Sequence, residues 1–375
     1  MERREQSRRF FSCNPSRMPR PPPNAVAHCR CSSIPGSARR MKQDTVRADF
    51  LLGPVRSFLA LPASAQQATD ALAPVVAVTD GLQPFSLDRI ERHIRQEIMA
   101  NNPAAVPSRG WRQQQSQRPV SWLDLCNGDG YVRERCLSCL GSAPNAFFMS
   151  LAIRRLNDWV PEVRRSAREH LLRIAIASDP WHVAKALGRL LATMSSWGRM
   201  EADDWRIVGC ILSIEEVAAR LTQLITQATA GPQAAVLVQA ARTPALDHTF
   251  LDLATHAMQP AVRATAYRFL LAGHARWING RTWIWAELKW CKGRFEPVFA
   301  QRELETDWSP QAVLTSALED RSAHVRRIGG EFLARHLDTA DARTWATRLA
   351  ADRSPCVSMW GRHVLTRLAE NHLTG

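Results

Sequence analysis

A short phrase recurs along this chain at a spacing close to one helical hairpin, and it limits the possible folds more than any other feature. It reads acid or amide, two residues, a small residue or Pro, one residue, Val, usually Arg, two residues, a small residue. The clearest copies are Asp158-Trp-Val-Pro161-Glu-Val163-Arg164-Arg-Ser-Ala167 and Asp320-Arg-Ser-Ala323-His-Val325-Arg326-Arg-Ile-Gly329. A third, Asp352-Arg-Ser-Pro355-Cys-Val357-Ser358-Met-Trp-Gly361, carries Ser in place of Arg. Val132-Arg133 with Cys136, and Pro260-Ala-Val262-Arg263 with Ala266, complete the set. Successive valines stand 31, 99, 63 and 32 residues apart, near one, three, two and one steps of about 32. Self-similarity at such a period marks stacked repeats, each burying its apolar face only against its neighbours.

The residue types of the phrase have physical reasons. The Asp falls in a turn, where its carboxylate can accept from the free amides that open the next helix. Pro suits a first helical position, because the amide it lacks is not needed there. Val packs inward, and the small residue four positions later lets neighbouring helices approach. The Arg leaves from the turn side, within reach of the Asp of an adjacent unit. Arg133, Arg164, Arg263 and Arg326 therefore have two readings, a ligand-binding ladder or an Asp–Arg ladder holding successive turns in register. The second is the simpler, with Asp158, Arg164, Arg263, Asp320, Arg326 and Asp352 as its members.

On these residues the chain resembles HEAT-repeat proteins, over about residues 122–370 with a degenerate middle from about 180 to 255. The resemblance implies an all-α fold, a right-handed α-α superhelix. It further implies a scaffold or binding surface, not an enzyme, with no cofactor and a protein or peptide as partner. Alkylpurine DNA glycosylases also use HEAT-like folds, so nucleic-acid binding is the alternative, although no residue of their motif can be matched here.

Three segments are expected. Residues 1–50 are rich in Arg, Ser and Pro and cannot bury enough apolar surface to order themselves, so they read as a disordered basic tail. Residues 51–120 read as loose helical fragments followed by a polar linker. Within them Ser86 is a candidate N-cap, and Leu87, Ile90, Ile94 and Ile98 share one helical face. Residues 121–375 carry the repeat array. Its helices are expected at 146–157, 160–178, 181–195, 213–229, 233–242, 245–257, 262–272, 311–319, 325–336, 340–350 and 357–371.

The chain of 375 residues has a net charge of +14, unevenly placed. The first fifty residues hold ten Arg and one Lys against four acids, so half the excess lies in the tail. The body is only mildly basic, and charge alone argues weakly for nucleic acid. The nine Cys form no framework of spacings, which favours a reducing compartment, and the cytoplasm is the expected location. No run of apolar residues is long enough to span a membrane. Ala63-Ser-Ala65 has the form of a signal cleavage site, but Pro54 and Arg56 break the apolar stretch before it.

Cys136 and Cys139 have a CxxC spacing without a second pair, so two buried thiols on a helix are expected in preference to a metal or redox site. His170 and His336 sit late in amphipathic helices, where a structural role is the default. No phosphate-binding or nucleophile motif is present. The odd segment is Trp277 to Leu304. Gly280 and Gly293 bracket it, and a β-hairpin inserted between two repeats accounts for it better than a helix. Trp277, Trp283, Trp285, Trp290, Phe295 and Phe299 are the candidate partner-binding residues. Packing of the same rings back onto the array is the competing reading.

Overall fold

The computed structural model describes residues 52–61, 70–80, 87–101, 120–305, 308–339 and 341–374. The basic segment 1–50, the Ala63–Ala65 site, Ser86 and most of the polar linker lie outside the described residues. Apart from one antiparallel hairpin, the regular structure described is helical. Helices α1 (52–59), α2 (Ala73–Asp80) and α3 (Leu87–Ala100) precede the phrase-bearing region. Leu87, Ile90, Ile94 and Ile98 are buried, as their spacing requires of one face.

The remaining helices run as α4 (Gly130–Cys139), α5 (Ala146–Arg154), α6 (Pro161–Ala177), α7 (Pro180–Met194), α8 (Ala202–Leu212), α9 (Glu215–Gln227), α10 (Gln233–Ala240), α11 (Phe250–His256) and α12 (Pro260–Ala272). After the hairpin come α13 (Pro310–Glu319), α14 (Ala323–Leu333), α15 (Ala342–Ala350) and α16 (Pro355–Thr374). Proline opens α6, α7, α12, α13 and α16, where a missing amide costs nothing. Side chains cap others: Asn145 accepts from the amides of Phe147 and Phe148, and Asp129 accepts from Tyr131. One helix, α8, falls in a stretch where none was expected. It opens with Asp203 and Asp204, and Asp204 accepts from the amide of Glu201 in a capping box.

Each phrase-bearing helix packs on the next of its row, α4 on α6, α12 on α14 and α14 on α16, while α8 takes the place after α6. Val163, Val262, Val325 and Val357 are buried, whereas Val132 is only half-buried. The small residue of the phrase permits the closest approach. At Gly361 an added Cβ would lie 2.2 Å from the amide nitrogen of Ala350 and 2.8 Å from the carbonyl oxygen of Ala346. Those are backbone atoms that no rotamer change moves. Gly361→Ala is therefore expected to force α15 and α16 apart at a cost of about 1–3 kcal/mol, read as a lower thermal midpoint. An unchanged midpoint would show that the two helices separate freely.

The Asp and Arg of the phrase form a repeated bond set. Arg133 donates from Nε and Nη2 to the carboxylate of Asp158, at 3.0 and 2.8 Å. Arg263 does the same to Asp320, at 2.8 and 3.0 Å, and Arg326 to Asp352, at 2.7 and 2.9 Å. In each the third nitrogen, Nη1, donates to the carbonyl six residues earlier: Asn127, Ala257 and Asp320. Each Asp also accepts from a backbone amide two residues on, at Val160, Ser322 and Ser354. One guanidinium thus closes its own turn and clamps the next. Arg164 keeps only half of this. Its Nη1 donates to the Asp158 carbonyl at 2.9 Å, but its Nε is buried without an acceptor among the described residues. The carboxylate it lacks is replaced one helical turn later, where Arg168 holds Asp204 at 2.7 and 3.1 Å.

At the N-terminal end the charges continue inward. Arg155 donates to Asp158 at 2.8 Å and to Glu91 of α3 at 2.6 Å, and Arg95 donates to Glu91 at 2.8 Å. This chain of charges, buried except at the half-exposed Arg95, joins α3 to the first phrase-bearing turn.

Candidate functional site

The hairpin consists of β1 (His274–Glu287) and β2 (Lys292–Glu303), joined by a single turn at Leu288–Trp290. It leaves α12 through Gly273, whose φ of +70° ends the helix in the left-handed conformation that glycine adopts freely. Its root is fixed by two arginines. Arg302 of β2 forks onto Asp247 at 2.5 and 2.7 Å and donates to the carbonyls of Ala241 and Thr243. Asp247 in turn accepts from the amide of Glu305. Arg242, just past α10, donates to Ile278 O and Asn279 Oδ1 at 3.1 and 3.2 Å. Its guanidinium lies 3.8 Å from the ring centre of Trp205 and 5.5 Å from that of Trp277. Burial without a neighbouring carboxylate lowers the Arg242 group to about 10.

The register decides which candidate residues meet. Ile278 pairs with Phe299 and Gly280 with Val298, so Asn279 is an extra residue in β1, a bulge. Gly280 has φ +148°, a conformation that suits glycine at this point. Strand alternation is thereby offset, and the six residues divide between faces. Ala275, Trp277 and Arg302 share the face directed at the helices. Trp283, Trp285, Phe295 and Phe299 share the other, and Trp290 stands in the turn. Trp277 is half-buried, and its indole N–H has no acceptor among the described residues.

The outer face carries an edge-to-face cluster. Trp283 meets Trp285 at 5.4 Å and Phe295 at 4.9 Å between ring centres, and Arg276 lies 3.9 Å from the centre of Phe299. Gly293 makes room for it: a Cβ there would lie 2.6 Å from two atoms of the Trp283 ring. The rings do not pack back onto the array. Trp283, Trp285, Trp290, Phe295 and Phe299 are between 39% and 62% exposed, and Ile284 and Val298 are exposed on the opposite face. Exposed aromatic rings grouped in this way make the outer face a candidate interaction site.

The CxxC pair does not gather ligands. Cys136 is buried with Sγ 3.3 Å from Ser121 O, whereas Cys139 is exposed, contrary to the expectation of two buried thiols. Burial pushes the Cys136 and Cys126 thiols well above their ordinary range, so neither is a thiolate at neutral pH. Among the described residues no three or more His, Cys, Asp or Glu are grouped to hold a metal ion. His336 lies beyond the end of α14 and stacks on Phe332 at 4.0 Å. No described helix is long and apolar enough to cross a membrane.

Sequence reasoning missed Arg242 and Arg302, which hold the hairpin from residues far apart in the chain, and the stacking of Arg242 on Trp205. Comparison with protein-family models, with curated proteins and with solved structures found no match.

Proposed function

We propose that this chain is a HEAT-like α-solenoid acting as a non-enzymatic adaptor, and that the outer face of its hairpin takes a protein or peptide partner. The solenoid reading is supported by the repeated bond set, in which one Arg closes its own turn and grips the next. The observation that carries the binding reading is the exposed ring cluster on a hairpin rooted by Arg242 and Arg302. A free two-stranded hairpin is marginal in water, so the root supplies order that the strands alone do not. A rigid aromatic face loses little entropy on binding, and Trp is prominent among residues that dominate interface energies.

The reading predicts that Trp283→Ser, Trp285→Ser and Phe295→Ser together abolish partner capture. Truncating one such centre costs about 2 kcal/mol, roughly thirty-fold in affinity. The measurement is quantitative mass spectrometry of nuclease-treated pull-downs from cells that make the protein, comparing wild type and triple variant at equal thermal midpoint. Loss of one defined protein supports the adaptor; an unchanged protein set contradicts it.

A further inference from the structure

The charge of the folded body is mild in total, but three neighbouring helices concentrate it. Arg268 on α12, His324 and Arg327 on α14, Arg335 just beyond α14, and Arg362, His363 and Arg367 on α16 lie on the solvent side of the helices that bear the phrase. Arg327 alone is half-buried; the others are exposed. Counting from the buried valines, Arg268, His324, Arg327, Arg362 and His363 fall well round their helices, Arg367 lies on the flank and Arg335 follows the helix end. Because α12 packs on α14 and α14 on α16, the three stripes adjoin. Burial lowers the pKa of both Arg268 and His324; the charge of Glu331 opposes this at Arg268 while Arg327 and Arg335 add to it, and at His324 Arg327 and Arg268 add to it against Glu331. Acids are few: α12 has none, α14 has Glu331 and α16 has Glu370. Glu331 is engaged by Arg327. Arg268, Arg335, Arg362 and Arg367 have no carboxylate partner among the described residues.

We propose that the outer surface of α12, α14 and α16 is a docking surface for nucleic acid, held through its backbone phosphates. The occupant is argued from charge complementarity and from the kind of cation. The unpaired bases on this face are Arg, with no Lys, and a guanidinium presents a planar fork that matches phosphate oxygens. They are spread over three adjoining helices some 8–10 Å apart, an extended footprint and not a pocket. This surface shares no residue with the aromatic face of the hairpin, and with both sites occupied the adaptor would bring a protein to nucleic acid.

The test is fluorescence anisotropy of the full chain with a labelled 20-nucleotide oligothymidine and with a 20-base-pair duplex, at salt from 50 to 200 mM. Four phosphate contacts give a slope of log affinity on log salt of about −3 for the single strand and about −3.6 for the duplex. That is a loss of roughly 60- to 150-fold across the range. Arg335→Glu, Arg362→Glu and Arg367→Glu together, all exposed and unpaired, are expected to remove most of this binding and to flatten the slope to about −1 or less. The Trp283→Ser, Trp285→Ser, Phe295→Ser variant should bind as wild type does, which separates this surface from the proposed protein site. Three results overturn the proposal. The first is no binding at 50 mM salt. The second is equal binding by the charge-reversed variant, which would place the contact in the basic tail. The third is displacement of the oligonucleotide by polyglutamate at equal charge concentration, which would make the face a site for acidic protein.

Discussion

Asp158→Ala is expected to destabilise the protein by about 3–5 kcal/mol, the usual loss when one member of a buried ion pair is removed. Asp158 is 5% exposed and holds both Arg133 and Arg155, which are 0% and 4% exposed. Without it Arg133 retains two backbone carbonyls and the ring of Trp159, and Arg155 retains Glu91 and the Leu151 carbonyl. The loss should appear as a fall in thermal midpoint on the order of 10 °C. Asp158→Asn keeps the shape and the acceptor for the Val160 amide, and should fall between wild type and Ala. The pH dependence follows from the same contacts. Burial alone would raise the Asp158 carboxyl, but the hydrogen bond from Arg133 and the charge of Arg155 outweigh it and hold the group below its ordinary value. A folded-state value below the unfolded one, about 3.9, means the contribution is complete above that pH and lost as pH falls through the folded value. Asp352 shifts in the same direction through Arg326. Stability should therefore drop below about pH 4, and the drop should shrink in Asp158→Asn. Acid profiles of the same size in both proteins would contradict this.

Arg302→Ala is the second large effect, and it joins stability to function. Asp247, only 3% exposed, would lose both bonds from Arg302 and keep only the Glu305 amide. An uncompensated buried carboxylate costs about 3–5 kcal/mol. The strand would also lose its bonds to Ala241 and Thr243, leaving Arg242 to hold the root. Partner affinity should fall even though no outer-face ring has changed, because the face is no longer held ready. Amide hydrogen exchange should rise in β1 and β2 ahead of α12 and α14. Asp247→Asn/Arg302→Gln restores neutral pairing and should recover much of the stability. If Arg302→Ala leaves hairpin exchange and capture unchanged, the root does not position the site.

Much of the helical order was legible because the phrase is local and periodic. Its Pro, Val and small residues each do a job within one turn of chain. Even the partners of Arg263 and Arg326 could be read from the Asp of the next copy. What failed depended on contacts between distant residues. Arg164 has the phrase but no carboxylate ahead of it, and its place is taken by Arg168 with Asp204 on a helix hidden by its acidic start. Simple alternation along β1 puts Trp277, Trp283 and Trp285 on one face. The bulge at Asn279 turns Trp277 to the helices and leaves the other two outside. Gly280 was the one local sign of that bulge. The basic face was diluted in the net charge and emerges only when α12, α14 and α16 are known to be neighbours.

The most direct measurement of the central claim is site-specific photocrosslinking in the full chain, with a benzophenone side chain at Trp285 and, as control, at Ile176, which is also exposed. Irradiation in cells that make the protein should give one defined protein adduct from position 285 and none from position 176. Absence of a protein adduct at 285 under conditions that crosslink other exposed positions would contradict the adaptor reading.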